Sequence, residues 1–199
     1  MIQNLNDEIK KCENCRLAKT RTNVLGGEGH LHAELMLIAQ APGEHEDREG
    51  RMFIGPSGKV LDELLKTICI DRKEIYMTNL IKCMLPKNRK PKSDEITACS
   101  SYLDQEIELI DPAILAPLGY YATRYIFRKY SISLPPKPKF REVYGNVLEI
   151  DDRRIIPLQH PAAILHDISI KSTLVKNYHK MQVLYMSQLK KDDCAQESK

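Results

Sequence analysis

Apolar positions along the chain alternate between a helical rhythm and short unbroken runs. Ile2, Leu5 and Ile9 fall at helical spacing ahead of Cys12 and Cys15, which predicts a short helix over residues 2–10. Glu34-Leu-Met-Leu-Ile-Ala-Gln40 is an apolar run stopped by Pro42-Gly43, the pattern of a buried strand emptying into a loop. That loop is expected to continue through polar sequence to Ser57, which caps a helix with Val60, Leu61, Leu64, Leu65 and Ile68 on its apolar face. A second strand is predicted over 75–78, then a Lys- and Pro-rich loop, then a helix from about Ser93 carrying Ile96, Leu103 and Ile107. A third strand over 113–118 ends at Gly119, and a helix follows over 121–130. The prolines of the next segment, SLPPKPKF, argue against regular structure there. Residues 147–150 and 154–158 flank Asp151-Asp152 as a hairpin, and Leu174, Tyr178, Met181, Tyr185 and Leu189 mark a C-terminal amphipathic helix.

Strands alternating with helices predict an α/β fold: a single-domain three-layer sandwich with a central, mostly parallel four-stranded sheet and helices on both faces. The domain is expected over residues 1–190, with 191–199 a polar C-terminal tail. In such sheets ligands bind at the carboxyl ends of the strands, so the loops after Gln40, Thr78 and Leu158 should converge on a site.

Composition narrows the class. With 199 residues, 42% hydrophobic and a net charge of +3, the chain is too apolar and too near neutrality for a disordered protein, and it can bury one substantial core. No apolar run approaches the roughly 20 residues of a membrane span. The opening residues MIQNLNDEIKK carry acids and no unbroken apolar stretch, which argues against a secretory signal; a cytoplasmic monomer is expected.

Two glycine motifs fail on counting. A Walker loop ending at Gly58-Lys59 needs Gly at 53 and Ser or Thr at 60, where the chain has Phe53 and Val60. Gly27 and Gly29 open like a dinucleotide fingerprint, but position 32 is His and no predicted strand precedes them.

The six cysteines are too few and unevenly placed for a disulfide framework. Cys12-x-x-Cys15 has no second close pair, since Cys83 and Cys99 are separated by 15 residues, and this fits zinc poorly. An iron-sulfur cluster is less strict about spacing. Cys69 is read on the apolar side of its helix and Cys194 in the tail, so both are set aside; a redox C-x-x-C beside scattered core cysteines is the other reading.

Lys82, Lys87, Arg89, Lys90 and Lys92 form a stretch without an acid, as do Arg128, Lys129, Lys137, Lys139 and Arg141. Two such stretches in a chain near neutrality suit a phosphate backbone, or they are solvated loops. His160 follows a predicted strand and precedes a proline, so it is aimed at the predicted ligand edge. Asn79 also lies just past a strand, and its amide sets a donor beside an acceptor, which suits the edge of a base. Phe53 stands in a polar loop and is a candidate to stack on a ligand. Glu44, Glu46, Asp47 and Glu49 are a carboxylate cluster whose spacing alone establishes no chemistry.

Taken in order, Cys12-x-x-Cys15, Ala41-Pro-Gly-Glu-His-Glu-Asp47 with Phe53-Ile-Gly-Pro-Ser-Gly58, Thr78-Asn79 with Lys82-Cys83, Cys99, and His160-Pro161-Ala162 resemble the type 4 (iron-sulfur) uracil-DNA glycosylases. The resemblance runs from about Leu5 to Leu189. It implies a 4Fe-4S cluster on Cys12, Cys15, Cys83 and Cys99 and a uracil pocket made from Gln40, Ala41, Pro42, Gly43, Glu46, Phe53, Asn79 and His160. It further implies uracil-containing DNA, single- or double-stranded, as partner and hydrolysis of the uracil N-glycosidic bond as the reaction. Asn79 and His160 would be the catalytic pair: Asn79 reads N3–H and O4, and His160 holds the developing charge on O2. Glu46 would crowd the C5 position against thymine, Ile164 or Leu165 would wedge into the vacated stack, and Lys82, Lys87, Arg89 and Lys90 would meet phosphates.

Two departures bear on mechanism. Family members commonly have Gly-Glu where this chain has Ala39-Gln40, and another branch places a water-orienting aspartate where this chain has Ala41. Catalysis is therefore expected to lean on leaving-group stabilisation. No histidine lies between Lys82 and Cys99, which favours turnover over self-linkage to DNA. The rival readings are a catalytically weak or inactive uracil- or DNA-binding iron-sulfur protein of the same fold and a small electron-transfer protein.

Overall fold

The computed structural model describes the backbone of residues 1–196 and the side chains of residues 1–190. Helix α1 (Ile2–Lys10) buries Leu5 and Ile9 and packs on α4 (Ser93–Ile110). The sheet has six strands, β1 (Glu28–Gly29), β2 (Leu35–Ala39), β3 (Tyr76–Asn79), β4 (Ile114–Pro117), β5 (Leu148–Ile150) and β6 (Arg153–Ile155), in the order β1-β3-β2-β4-β6-β5. The four-stranded sheet expected from the sequence is thus exceeded by two short edge strands, β1 and β5, which pair antiparallel to their neighbours. The inner four, β3-β2-β4-β6, are parallel.

Because side chains alternate across a strand, the all-apolar run of β2 feeds two cores. Leu35, Leu37 and Ala39 face a core shared with α3 (Pro56–Thr67) and α7 (Lys171–Gln196), whereas Met36 and Ile38 face α4 and α5 (Gly119–Lys129). Each fully buried leucine here, such as Leu37, contributes about 2 kcal/mol by leaving water. This is why the run had to be apolar at every position.

Several local readings are corrected. The segment after β2 is not a continuous loop, since Glu44–Glu49 forms helix α2 with Gly43 as its N-cap and Gly50 in the left-handed conformation at its end. Helix α3 is capped by Gly55 with Pro56 at its first turn, so Ser57 lies inside it. Cys69 lies past that helix, exposed and at φ 51°. Prolines did not prevent a 3-10 helix over Lys137–Val143, because a proline in the first turn has no N–H to waste there. A short helix α6 (Ala163–His166) precedes α7. The polar tail read at 191–199 is helical through Gln196, and residues 197–199 lie outside the described residues. Among the described residues no helix is long and apolar enough to cross a membrane.

The register positions the site. Ala39 of β2 pairs with Asn79 of β3 at the last rung, and Leu118 bridges Leu158 beyond β4 and β6. The segments after these four strands therefore leave the same edge of the sheet side by side.

Candidate active site

At that edge lies a cleft of about 670 Å³, lined by Gln40, Ala41, Pro42, Gly43, Glu46, Met52, Phe53, Asn79, His160 and Leu165 among others. Every pocket residue read from the sequence is in this lining. They come from four stretches of chain: the β2–α2 turn with the start of α2, the 52–57 segment, the end of β3 and the turn after Leu158.

Each is held by the backbone around it. Asn79 is 2% exposed, and its Nδ2 donates to Met52 Sδ at 3.1 Å. Its backbone carbonyl accepts from Lys82 Nζ at 2.8 Å. Phe53 adopts φ 50°, an uncommon conformation for a bulky residue, and it is pinned there by Arg72. The Arg72 guanidinium donates to the carbonyls of Met52 and Phe53, the latter at 3.0 Å, and pairs with Asp62 at 3.0 Å. Gly58 lets this happen: a Cβ there would stand 1.9 Å from the Phe53 carbonyl oxygen. The Phe53 and His160 rings face each other at 28°, with centroids 6.3 Å apart.

His160 Nδ1 accepts from the backbone N–H of Ala162 at 3.1 Å. The proton of the neutral ring is therefore on Nε2. Burial pushes the imidazole pKa down to about 4, against the opposing pull of the Glu46 carboxylate. The ring is neutral at physiological pH and offers one N–H donor.

Glu46, read from sequence as a pocket wall, is buried, and Oε1 fastens the neighbouring loop by accepting from Ile54 N at 2.9 Å and Gly55 N at 2.7 Å. Asp47 is likewise buried and accepts from the backbone of Thr22 and Asn23. The acidic α2 is thus a joint between loops.

The basic loop divides. Lys87 and Lys90 are exposed, and Asn88 between them lines the cleft. Arg89 is committed to Glu95 through two hydrogen bonds, one at 2.8 Å. Lys82, assigned above to phosphate contact, is 1% exposed and buried in the core. That assignment is corrected: its Nζ pairs with Glu106 at 2.5 Å and donates to Thr78 Oγ1 at 2.7 Å, while Glu106 also accepts from Gly27 N at 2.8 Å. A buried cation survives only with such partners. Leu165 is 51% exposed at the cleft mouth, whereas Ile164 is half-buried and outside the lining. The second basic stretch is anchored nearby, with Phe140 packed on Tyr120 at 4.5 Å beside Gly119, whose position abuts His160.

On the other side of Lys82, Cys12, Cys15, Cys83 and Cys99 line one enclosed cavity with Arg21, Leu17 and Ile81. Arg21 Nη1 donates to Cys83 Sγ at 3.3 Å and the Lys82 backbone N–H to Cys99 Sγ at 3.2 Å. Burial pushes the Cys99 thiol up to about 11, with Lys82 opposing, and raises Cys83 against the pull of Arg21. Among the described residues no three His, Cys, Asp or Glu side chains are grouped to hold a single metal ion.

Residues 27–182 match the profile of the Uracil DNA glycosylase superfamily. The chain belongs to this superfamily. It is similar to the type-4 uracil-DNA glycosylase of Sulfurisphaera tokodaii, 39% identical over 186 residues that cover 92% of this chain and 84% of the relative. A type-4 uracil-DNA glycosylase of Saccharolobus solfataricus is 40% identical over 183 residues, covering 88% and 82%. One from Archaeoglobus fulgidus is 34% identical over 178 residues, covering 87% and 88%. For this uracil-DNA glycosylase superfamily member, sequence reasoning missed Met52 and Arg72. Neither carries a local signal, since each acts through a contact between segments distant in the chain.

Proposed function

We propose that this protein flips uracil out of DNA and hydrolyses its N-glycosidic bond, leaving an abasic site for base excision repair. The observation that carries the reading is the convergence of Phe53, Asn79 and His160, from three distant segments, on one cleft. A flipped base is recognised by stacking and by hydrogen bonds to its Watson–Crick edge. Phe53 stacks on the uracil face. Asn79 accepts from N3–H and donates to O4; cytosine reverses both positions and would leave buried groups unpaired.

As the bond to the sugar breaks, negative charge gathers on uracil O2. The Nε2–H of neutral His160 and the backbone N–H groups near Gln40 to Gly43 meet that oxygen, each good donor worth about 3 to 4 kcal/mol. Ala41 has no carboxylate with which to orient the attacking water, so leaving-group stabilisation carries most of the barrier reduction. Glu46 closes the pocket near C5 against thymine's methyl group, and Leu165, at the mouth, fills the vacated stack. Lys87, Lys90 and the stretch Lys137 to Arg141 hold phosphates on either side.

Cys12, Cys15, Cys83 and Cys99 would hold a 4Fe-4S cluster. Supporting this are the four thiols on one cavity and two N–H donors aimed at sulfur. In a 4Fe-4S cluster each of four thiolates binds a different iron, so four cysteines on one cavity supply the number the cluster needs. Held there, a cluster would tie the segment after α1 to the loop after β3 and to α4.

The test is alkaline strand breakage of an oligonucleotide carrying one uracil, with the purified chain and with His160→Ala. Breakage at uracil that falls about a hundredfold in His160→Ala supports the reading. No breakage at enzyme excess, with salt-sensitive DNA binding intact, would leave a DNA-binding protein that has lost hydrolysis.

A further inference from the structure

The amide of an asparagine is nearly symmetrical in shape, with a donor at one corner and an acceptor at the other. Turned by half a rotation about its last bond, it presents the complementary pattern. One sense of Asn79 pairs with the N3–H and O4 of uracil, and the turned sense pairs with the N3 and amino group of cytosine. Something behind the amide must decide between them.

In this structure that neighbour is Met52. Both residues are buried, at 2% and 1% exposure, both line the cleft, and Asn79 Nδ2 donates to Met52 Sδ at 3.1 Å. A thioether sulfur carries lone pairs and no proton, so it accepts and never donates. In the turned sense Oδ1 would face the sulfur, lone pair against lone pair, and the donor would be lost. The Met52 backbone is held by Arg72, which donates to its carbonyl and that of Phe53 while paired with Asp62, and its side chain is confined by burial. We propose that Met52 is a specificity-determining residue, whose sulfur locks the Asn79 amide in the sense that reads uracil and rejects cytosine. The inference rests on the reading of Asn79 as the base-pairing residue.

Met52→Leu removes the acceptor while keeping the volume. Single-turnover excision is measured at enzyme excess on uracil and on cytosine, each placed opposite an abasic site so that pairing does not mask the pocket. The uracil-to-cytosine rate ratio should fall by about fivefold to tenfold in Met52→Leu, the scale of one hydrogen bond. In the Asn79→Asp background, which has no amide to orient, the same substitution should leave the ratio unchanged. A ratio that moves less than twofold, or that moves equally in both backgrounds, overturns the inference and makes Met52 a space filler. Titration of free uracil and free cytosine against the Asn79 side-chain amide resonances makes the same comparison without turnover. A narrowed preference for uracil in Met52→Leu supports the lock even if hydrolysis is absent. No response to uracil in the unsubstituted chain overturns the reading of Asn79 and the lock together.

Discussion

The backbone N–H of Ala162 donates to Nδ1 of His160 across 3.1 Å, which leaves Nε2–H as the ring's donor. With the imidazole pKa pushed by burial to about 4, the donor is present across the physiological range. Excision should therefore show no inflection near pH 6.5 and should fall only as pH approaches 4, where protonation of Nδ1 breaks the bond to Ala162. A single-turnover pH profile checks this; an inflection near 6.5 that disappears in His160→Ala would refute it.

The same group makes stability depend on pH in a defined direction. Its folded value of about 4 lies below the unfolded value of 6.5, so the unfolded chain binds the extra proton between them. The contribution is complete above 6.5 and is lost as pH falls from 6.5 towards 4. Urea midpoints of the parent should drop through this window more steeply than those of His160→Ala, and parallel curves would contradict the assignment.

Lys82→Met leaves the Glu106 carboxylate buried without its cation. Breaking such a pair from one side costs about 3 to 5 kcal/mol, which urea denaturation would read as a large fall in midpoint. Because Lys82 is buried, the salt dependence of DNA binding by the folded variant should match the parent.

Lys87→Ala and Lys90→Ala should behave in the opposite way. Each should lower the slope of log K against log salt by about 1 with little change in stability, since both ammonium groups are exposed. A slope unchanged in both would move the phosphate track elsewhere.

Cys99→Ser tests the cysteine cavity. The purified parent should carry bound iron and a broad visible absorption, and the variant should lose both and melt at a lower temperature. Full iron content in the variant would remove Cys99 from the ligand set.

Much of this was legible in the sequence because burial on both faces leaves a plain mark. The run at 34–40 reads as a buried strand and forms β2, and the loops expected to converge after Gln40, Thr78 and Leu158 leave one edge of the sheet. What escaped reading was polar sequence doing buried work. Helix α2 is Glu-His-Glu-Asp-Arg-Glu, with no apolar period to detect, yet Glu46 and Asp47 are buried because backbone N–H groups of other loops need them. Lys82 looked like one more cation in a basic loop, and only the position of Glu106, on a helix that begins eleven residues further on, shows that it is a core residue. The two-residue β1 is too short for any periodicity.

Lys82 also joins the cysteine cavity to the cleft. Its backbone N–H donates to Cys99 Sγ in the cysteine cavity, and its ammonium group donates to the backbone carbonyl of Asn79 at the cleft. One residue thus braces the wall of the cysteine cavity and the backbone at the end of β3, so a displacement of Lys82 would shift both together.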